Sequence, residues 1–127
     1  MHPAGNGKAP VVIVIMEIFG LSDWIRGVAD QLAAEGFIAV APDIDVGDGK
    51  DGGDTSSLST QQEITQAVLQ LPAAEITAKL KAAREFGLKD PRSNGKSASV
   101  GYCFGAQSLA FAVAEPGLNA AVVYYGD

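Results

Sequence analysis

Ser99-Val100-Gly101-Tyr102-Cys103-Phe104-Gly105-Ala106-Gln107-Ser108 decides how the chain is read. A short apolar run from Ser97 to Tyr102 ends in Gly-x-Cys-x-Gly and passes at once into an Ala- and Leu-rich segment with helical spacing, Ser108 to Ala114. That order predicts a strand, a very tight turn and a helix, with the chain's single cysteine at the turn. Gly101 and Gly105 are required there because a side chain at either place would collide with the neighbouring strand or helix. The pattern has the form of the nucleophile elbow Gly-x-Ser-x-Gly, with sulfur in place of the hydroxyl. A thiol so placed lies at a helix N-terminus, where unpaired N–H groups and the helix dipole favour the thiolate. The same N–H groups, that of Phe104 in particular, can hold the oxyanion formed when a carbonyl is attacked. A free cysteine is more often a small, inert, buried residue. Here the two glycines and the strand-to-helix switch favour Cys103 as a nucleophile.

Working outward toward the N-terminus, Val11 to Met16 is continuously apolar and rich in β-branched residues, the mark of a strand buried on both faces of a parallel sheet. Glu17 follows at its C-terminal end. Ligands bind at that edge of open α/β sheets, so a carboxylate there is better placed for chemistry than one on a helix face, although an acid that simply ends the strand fits the pattern equally well. From Ser22 or Asp23, either a suitable N-cap, a helix is expected to reach Glu35, with Ile25, Val28, Ala29 and Leu32 on one apolar face. Trp24 adjoins that face and is expected to pack over the core. Gly36 ends the helix, Phe37 to Ala41 is the next buried strand and Pro42 stops it.

Asp43 to Ser59 is rich in Gly, Asp and Ser and reads as a flexible surface loop. Its acids do not make a calcium loop, because Gly47 stands where a ligand should be and Asp48 where the glycine should be. Thr60-Gln61-Gln62-Glu63 has capping-box spacing and opens a short helix through Leu69. Pro72 suits the first position of a second helix, with Ile76, Leu80 and Ala83 on one face and Gly87 closing it. Gly95-Lys96-Ser97 imitates the end of a phosphate-binding loop, but Asp90 occupies the first glycine position and the tripeptide leads into a strand. Asn94-Gly95 reads as a turn. Beyond the elbow helix, Pro116-Gly117 is a stop and Ala120 to Tyr125 a fourth strand.

At 127 residues and 47% hydrophobic content, one globular domain is expected over residues 1–127. A formal net charge of −6 and the lack of any Lys/Arg cluster argue against nucleic acid. No apolar run approaches the length of a membrane span. A single cysteine forms no internal disulfide, and a reducing, cytoplasmic setting is expected. No motif asks for a metal or other cofactor.

Taken together, Met16-Glu17-Ile18-Phe19-Gly20-Leu21, Ala34 to Asp43, Gly101-Tyr102-Cys103-Phe104-Gly105 and Ala121-Val122-Val123-Tyr124-Tyr125-Gly126 resemble the dienelactone hydrolase (carboxymethylenebutenolidase) family of α/β-hydrolases, in the family's order. The resemblance implies a three-layer α/β fold, a mostly parallel sheet with helices on both faces, here incomplete with about four strands. It implies hydrolysis of a lactone or other small ester through an acyl-thioester. Cys103 matches the family's nucleophile, Glu17 the glutamate that pairs with the resting thiol and accepts its proton, and the backbone N–H groups of Ile18 and Phe104 the oxyanion hole. The family's Asp and His have no match. His2 is the only histidine and precedes the first strand, and Asp127 follows the strand next after the elbow rather than a later one. The chain is therefore expected to be a fragment that lacks the first strands and the C-terminal part of the fold and is inactive alone. Two other readings compete. One is a non-catalytic truncated module that binds a partner through exposed sheet edges. The other is a flavodoxin-like or receiver-type domain, which leaves the Gly-x-Cys-x-Gly elbow unexplained.

Overall fold

A computed structural model describes residues 7–16, 21–43, 62–63, 66, 72–102, 111 and 114–124. Its centre is β1 (Ala9–Ile15), and every side chain from Val11 to Met16 is buried. Because neighbouring strand residues point to opposite faces, a strand buried throughout must be covered on both sides. Two further strands flank it in parallel, β2 (Ile38–Val40) with Val11 opposite Ile38, and β3 (Ser93–Tyr102) with Ile15 opposite Gly101. The parallel strand β4 (Ala120–Tyr124) pairs outside β3, giving the order β2-β1-β3-β4.

Helix α1 (Asp23–Ala34) starts where its capping chemistry dictates. Ser22 is the N-cap, its Oγ accepting the Ile25 N–H at 3.3 Å, and Gly36 takes the left-handed φ of 104° just past the C-cap Glu35. Ile25, Ala29 and Ala33 are buried against the sheet, with Val28 and Leu32 partly buried beside them. Helix α2 (Ala73–Leu88) buries Ile76, Leu80 and Ala83. The Trp24 ring on α1 meets Tyr102 of β3, whereas the Arg84 side chain on α2 meets Ser97 of β3. Residues 97 and 102 point to opposite faces of one strand, so the two helices cover opposite faces of the sheet.

Several local expectations are corrected. Pro72 is the N-cap of α2 rather than its first residue, with an extended ψ of 143°. Gly87 does not end α2, which continues through Leu88. Its role is close approach, because a Cβ there would lie 2.5 Å from Val11 Cγ1 and 3.1 Å from Val40 Cγ2. Gly87→Ala is therefore expected to cost about 1–3 kcal/mol by overpacking, read as a lower urea midpoint at unchanged m-value. Asn94-Gly95 is no turn ahead of the strand but a bulge inside it. Ala9 pairs with Ser93 and Val11 with Ser97, and Gly95 has φ 84°. Trp24 does not cap the core; it is 52% exposed, its ring edge-on to Tyr102 with 4.9 Å between centroids. Of the expected 43–59 loop only Asp43 is described. Of the expected helix over 60–69, Gln62, Glu63 and Gln66 are helical and the rest lies outside the described residues.

Candidate active site

The register between β1 and β3 bears on the expected site residues. Ile15 is opposite Gly101 on adjacent parallel strands, so both strands end at the same edge of the sheet. Parallel neighbours are about 4.8 Å apart. Glu17 and Cys103 each follow two residues after that matched pair. Between β1 and β3 the chain also changes direction across the sheet, since β2 lies on one side of β1 and β3 on the other. A crevice opens at such a switch point, outside the C-terminal ends of the strands. Glu17, Ile18, Cys103, Phe104 and Gly105 themselves lie outside the described residues, as do His2 and Asp127. Gly101 is described, and it is buried in the penultimate position of β3. Phe111 and Ala114 are helical, in accord with a helix after the expected elbow, and Phe111 is fully buried.

The described surroundings of this edge are aromatic. Tyr102, the residue before Cys103, stands between Trp24 and Tyr124, stacking on the latter with centroids 5.2 Å apart and planes 11° apart. A cleft of about 400 Å³ lies elsewhere, on the outer flank of β2, and is lined by Leu21, Arg26, Ala29, Ala39 and Phe86 among others. Among the described residues, none of those lining it belongs to β1 or β3. Among the described residues no cluster of His, Cys, Asp or Glu could hold a metal ion, and no helix is long and apolar enough to cross a membrane.

The family's sequence model for "Dienelactone hydrolase family" matches residues 1–127. The chain belongs to the dienelactone hydrolase family. Among its relatives, the carboxymethylenebutenolidase of Pseudomonas putida is 35% identical over 127 residues, covering 95% of this chain and 52% of that protein. A Klebsiella pneumoniae structure assigned as a dienelactone hydrolase superposes with a TM-score of 0.85 at 29% identity, covering 99% of this chain and 52% of the other. An α/β hydrolase from Penicillium sp. sh18, 20% identical, shares the fold with a TM-score of 0.63 over 95% of this chain and 38% of its own. The four-stranded parallel sheet with helices on both faces is thus an incomplete α/β-hydrolase fold. The chain spans about half the length of the dienelactone hydrolase relatives it matches.

Sequence reasoning missed a polar network between α2, β3 and the segment before β4. Arg84 on α2, Ser97 on β3, and Glu115, Gly117 and Asn119 in the segment before β4 are joined by hydrogen bonds. A signal was present. Arg84 continues the buried row Ile76, Leu80 at a spacing of four, and Ser97 and Ser99 recur at the period of a strand where apolar side chains would be expected.

Proposed function

We propose that this chain carries the nucleophile half of a dienelactone-hydrolase-type enzyme, with Cys103 attacking the carbonyl of a lactone or other small ester. The observation that carries the reading is the register of Ile15 with Gly101, which supports bringing the segments that begin with Glu17 and Cys103 together at the sheet edge. In the proposed reaction the Cys103 thiolate forms an S–C bond to the carbonyl carbon, and the C=O electron pair moves to oxygen. The backbone N–H groups of Ile18 and Phe104 hold that oxyanion. Collapse of the adduct breaks the C–O ester bond, the leaving oxygen takes a proton, and an acyl-thioester remains until water releases the acid. Glu17 holds the thiol at rest and accepts its proton when substrate arrives. Water activation is the task of a histidine, and the chain has none after Cys103. Single-round acylation without rapid turnover is therefore the behaviour proposed for these 127 residues alone. A reducing compartment such as the cytoplasm suits a catalytic thiol.

Alkylation by iodoacetamide tests the reading directly, since Cys103 is the only thiol. Labelling at pH 7 is expected to be faster than that of a simple free thiol, and Glu17→Gln is expected to change the rate. Labelling at or below the free-thiol rate would remove Cys103 as an activated nucleophile, and an unchanged rate in Glu17→Gln would remove Glu17 from the site.

A second reading, a non-catalytic module that binds a partner, draws on the exposed apolar side chains of the outer strand, Val122 at 47% and Tyr124 at 51% exposure. A stable hetero-complex on size-exclusion chromatography, together with an unreactive Cys103, would favour it.

A further inference from the structure

We propose that the face of β3 and β4 beside α1 is a docking groove for one amphipathic, cationic helix. The proposal goes beyond the reading of Cys103 and needs no reactivity there, so either can fail without the other. Helix α1 lies mainly over β1 and β2, against which it buries the row Ile25, Ala29 and Ala33. The next row of α1, Trp24, Val28 and Leu32, has the same spacing of four and so forms one flank of the helix. Tyr102 of β3 meets that flank at a cavity of about 300 Å³, with Gln31 and Glu35 completing its described lining. On the same face of the sheet Tyr124 pairs in register with Tyr102 and stacks on its ring, and Val122 pairs with Val100 two residues earlier. Trp24, Val122 and Tyr124 are each about half exposed. Of the four large apolar side chains exposed among the described residues, only Phe86 lies elsewhere, on α2.

Size and charge decide what the groove fits. Aromatic side chains carry about 150–250 Å² each, so the exposed halves of Trp24 and Tyr124, with Val122 beside them, offer roughly 300 Å². A stable complex of two folded proteins needs about 800 Å² from each partner. A second copy seated on this face would fall short, and a formal net charge of −6 on each copy opposes self-association. A single helix asks for less, because it meets a sheet along a narrow stripe. The length also fits. The 12 residues of α1 span about 18 Å, and the 5 residues of β4 extend about 17 Å. A helix laid beside α1, at the usual distance of about 8–10 Å, would set its apolar stripe on Val122 and Tyr124 and its flank on Trp24. The sign of its charge follows from Glu35, the only charged side chain among the described residues that line the cavity, and one that is exposed. A Lys or Arg of the incoming helix beside Glu35 meets an opposite charge. An acidic residue there would be repelled by Glu35 and by the chain as a whole.

Trp24 itself supplies the test, since it is the chain's only tryptophan and its emission moves to shorter wavelength when the ring leaves water. The probes are two peptides of about 14 residues, long enough as helices to lie along α1. Both carry the same leucine stripe at helical spacing, flanked by lysines in one and by glutamates in the other. The lysine peptide is expected to shift the emission saturably and to gain helicity by circular dichroism as it binds. Tyr124→Ser should weaken that binding by about tenfold or more, the usual effect of losing an aromatic anchor. Val122→Ser should weaken it by about three- to fivefold, and Glu35→Gln by about two- to fivefold, the effect of a rim ion pair. The glutamate peptide should bind the unaltered chain far more weakly than the lysine peptide does. Absence of a saturable shift with the lysine peptide overturns the proposal, as does equal binding of the two peptides. A shift that keeps its full affinity in both Tyr124→Ser and Val122→Ser means that the peptide docks elsewhere, and overturns it too. Should Tyr124→Ser fail to fold, Val122→Ser decides, because Val122 stands outside the ring stack. A Trp24 shift that grows with chain concentration in the absence of peptide, with a dimer mass on sedimentation, would make a second copy the occupant and overturn the helix.

Discussion

Mixed with p-nitrophenyl acetate, the chain is expected to release about one equivalent of p-nitrophenolate per molecule and then to slow sharply, because acylation needs only the thiol, Glu17 as its proton acceptor and the oxyanion donors, whereas deacylation needs a histidine base to activate water. A positioned general base contributes about 10²- to 10⁴-fold, so the slow phase should fall below the burst by a factor in that range. The burst is measured by stopped-flow absorbance, and the acyl adduct by the mass of the intact protein, with one acetyl group on Cys103. Cys103→Ala should give no burst and no adduct. Cys103→Ser is expected to do little better, since a hydroxyl without a neighbouring base is a far weaker nucleophile than a thiolate. Steady turnover at the burst rate would show that a base is supplied from within these residues and would overturn the single-round proposal. A burst that survives Cys103→Ala would place the nucleophile elsewhere.

The second large effect is on stability. Phe111 is fully buried and helical, eight residues after Cys103. Phe111→Ala removes most of an aromatic side chain from a packed interior and leaves a cavity, a change that costs about 3–5 kcal/mol. Domains of this size have about 5–15 kcal/mol in total. Urea denaturation followed by circular dichroism should therefore show a large fall in midpoint, and a loss under about 1 kcal/mol would mean that the site collapses around the missing ring. Phe111→Leu, which keeps the site apolar, should retain much of the stability.

The strands and helices were legible where the pattern was strong. The unbroken apolar run at Val11–Met16 gave the central strand, and Ser22 and Gly36 marked the ends of α1 within a residue. The glycines were less legible, because glycine is used for several reasons that look alike in a sequence. Gly36 is a cap with positive φ, Gly87 makes room for Val11, and Gly117 makes room for Arg84. Only the first of these is a local property that neighbouring residues announce. Trp24 went astray for a similar reason, since its partner Tyr102 lies far along the chain. The candidate site was legible as two segments, after β1 and at the end of β3. That their strands are adjacent depends on a long-range pairing that no local spacing reveals. The Arg84 network has the same character, with polar partners on α2, on β3 and in the segment before β4.

The pairing of β1 with β3 has a consequence for how the chain reaches its native state. These neighbours are separated by most of the sequence, and β1 sits between β2 and β3. Contacts of such high order are slow to form, because a long loop must close before any of its hydrogen bonds compensate the lost entropy. During synthesis β1 and β2 leave the ribosome early, and one flank of the central strand then waits, apolar and unpaired, until β3 is complete. That interval is when the nascent polypeptide is most exposed to aggregation and chaperone capture. Slower translation at any point before β3 has left the exit tunnel would lengthen it, whereas slowing after that would not.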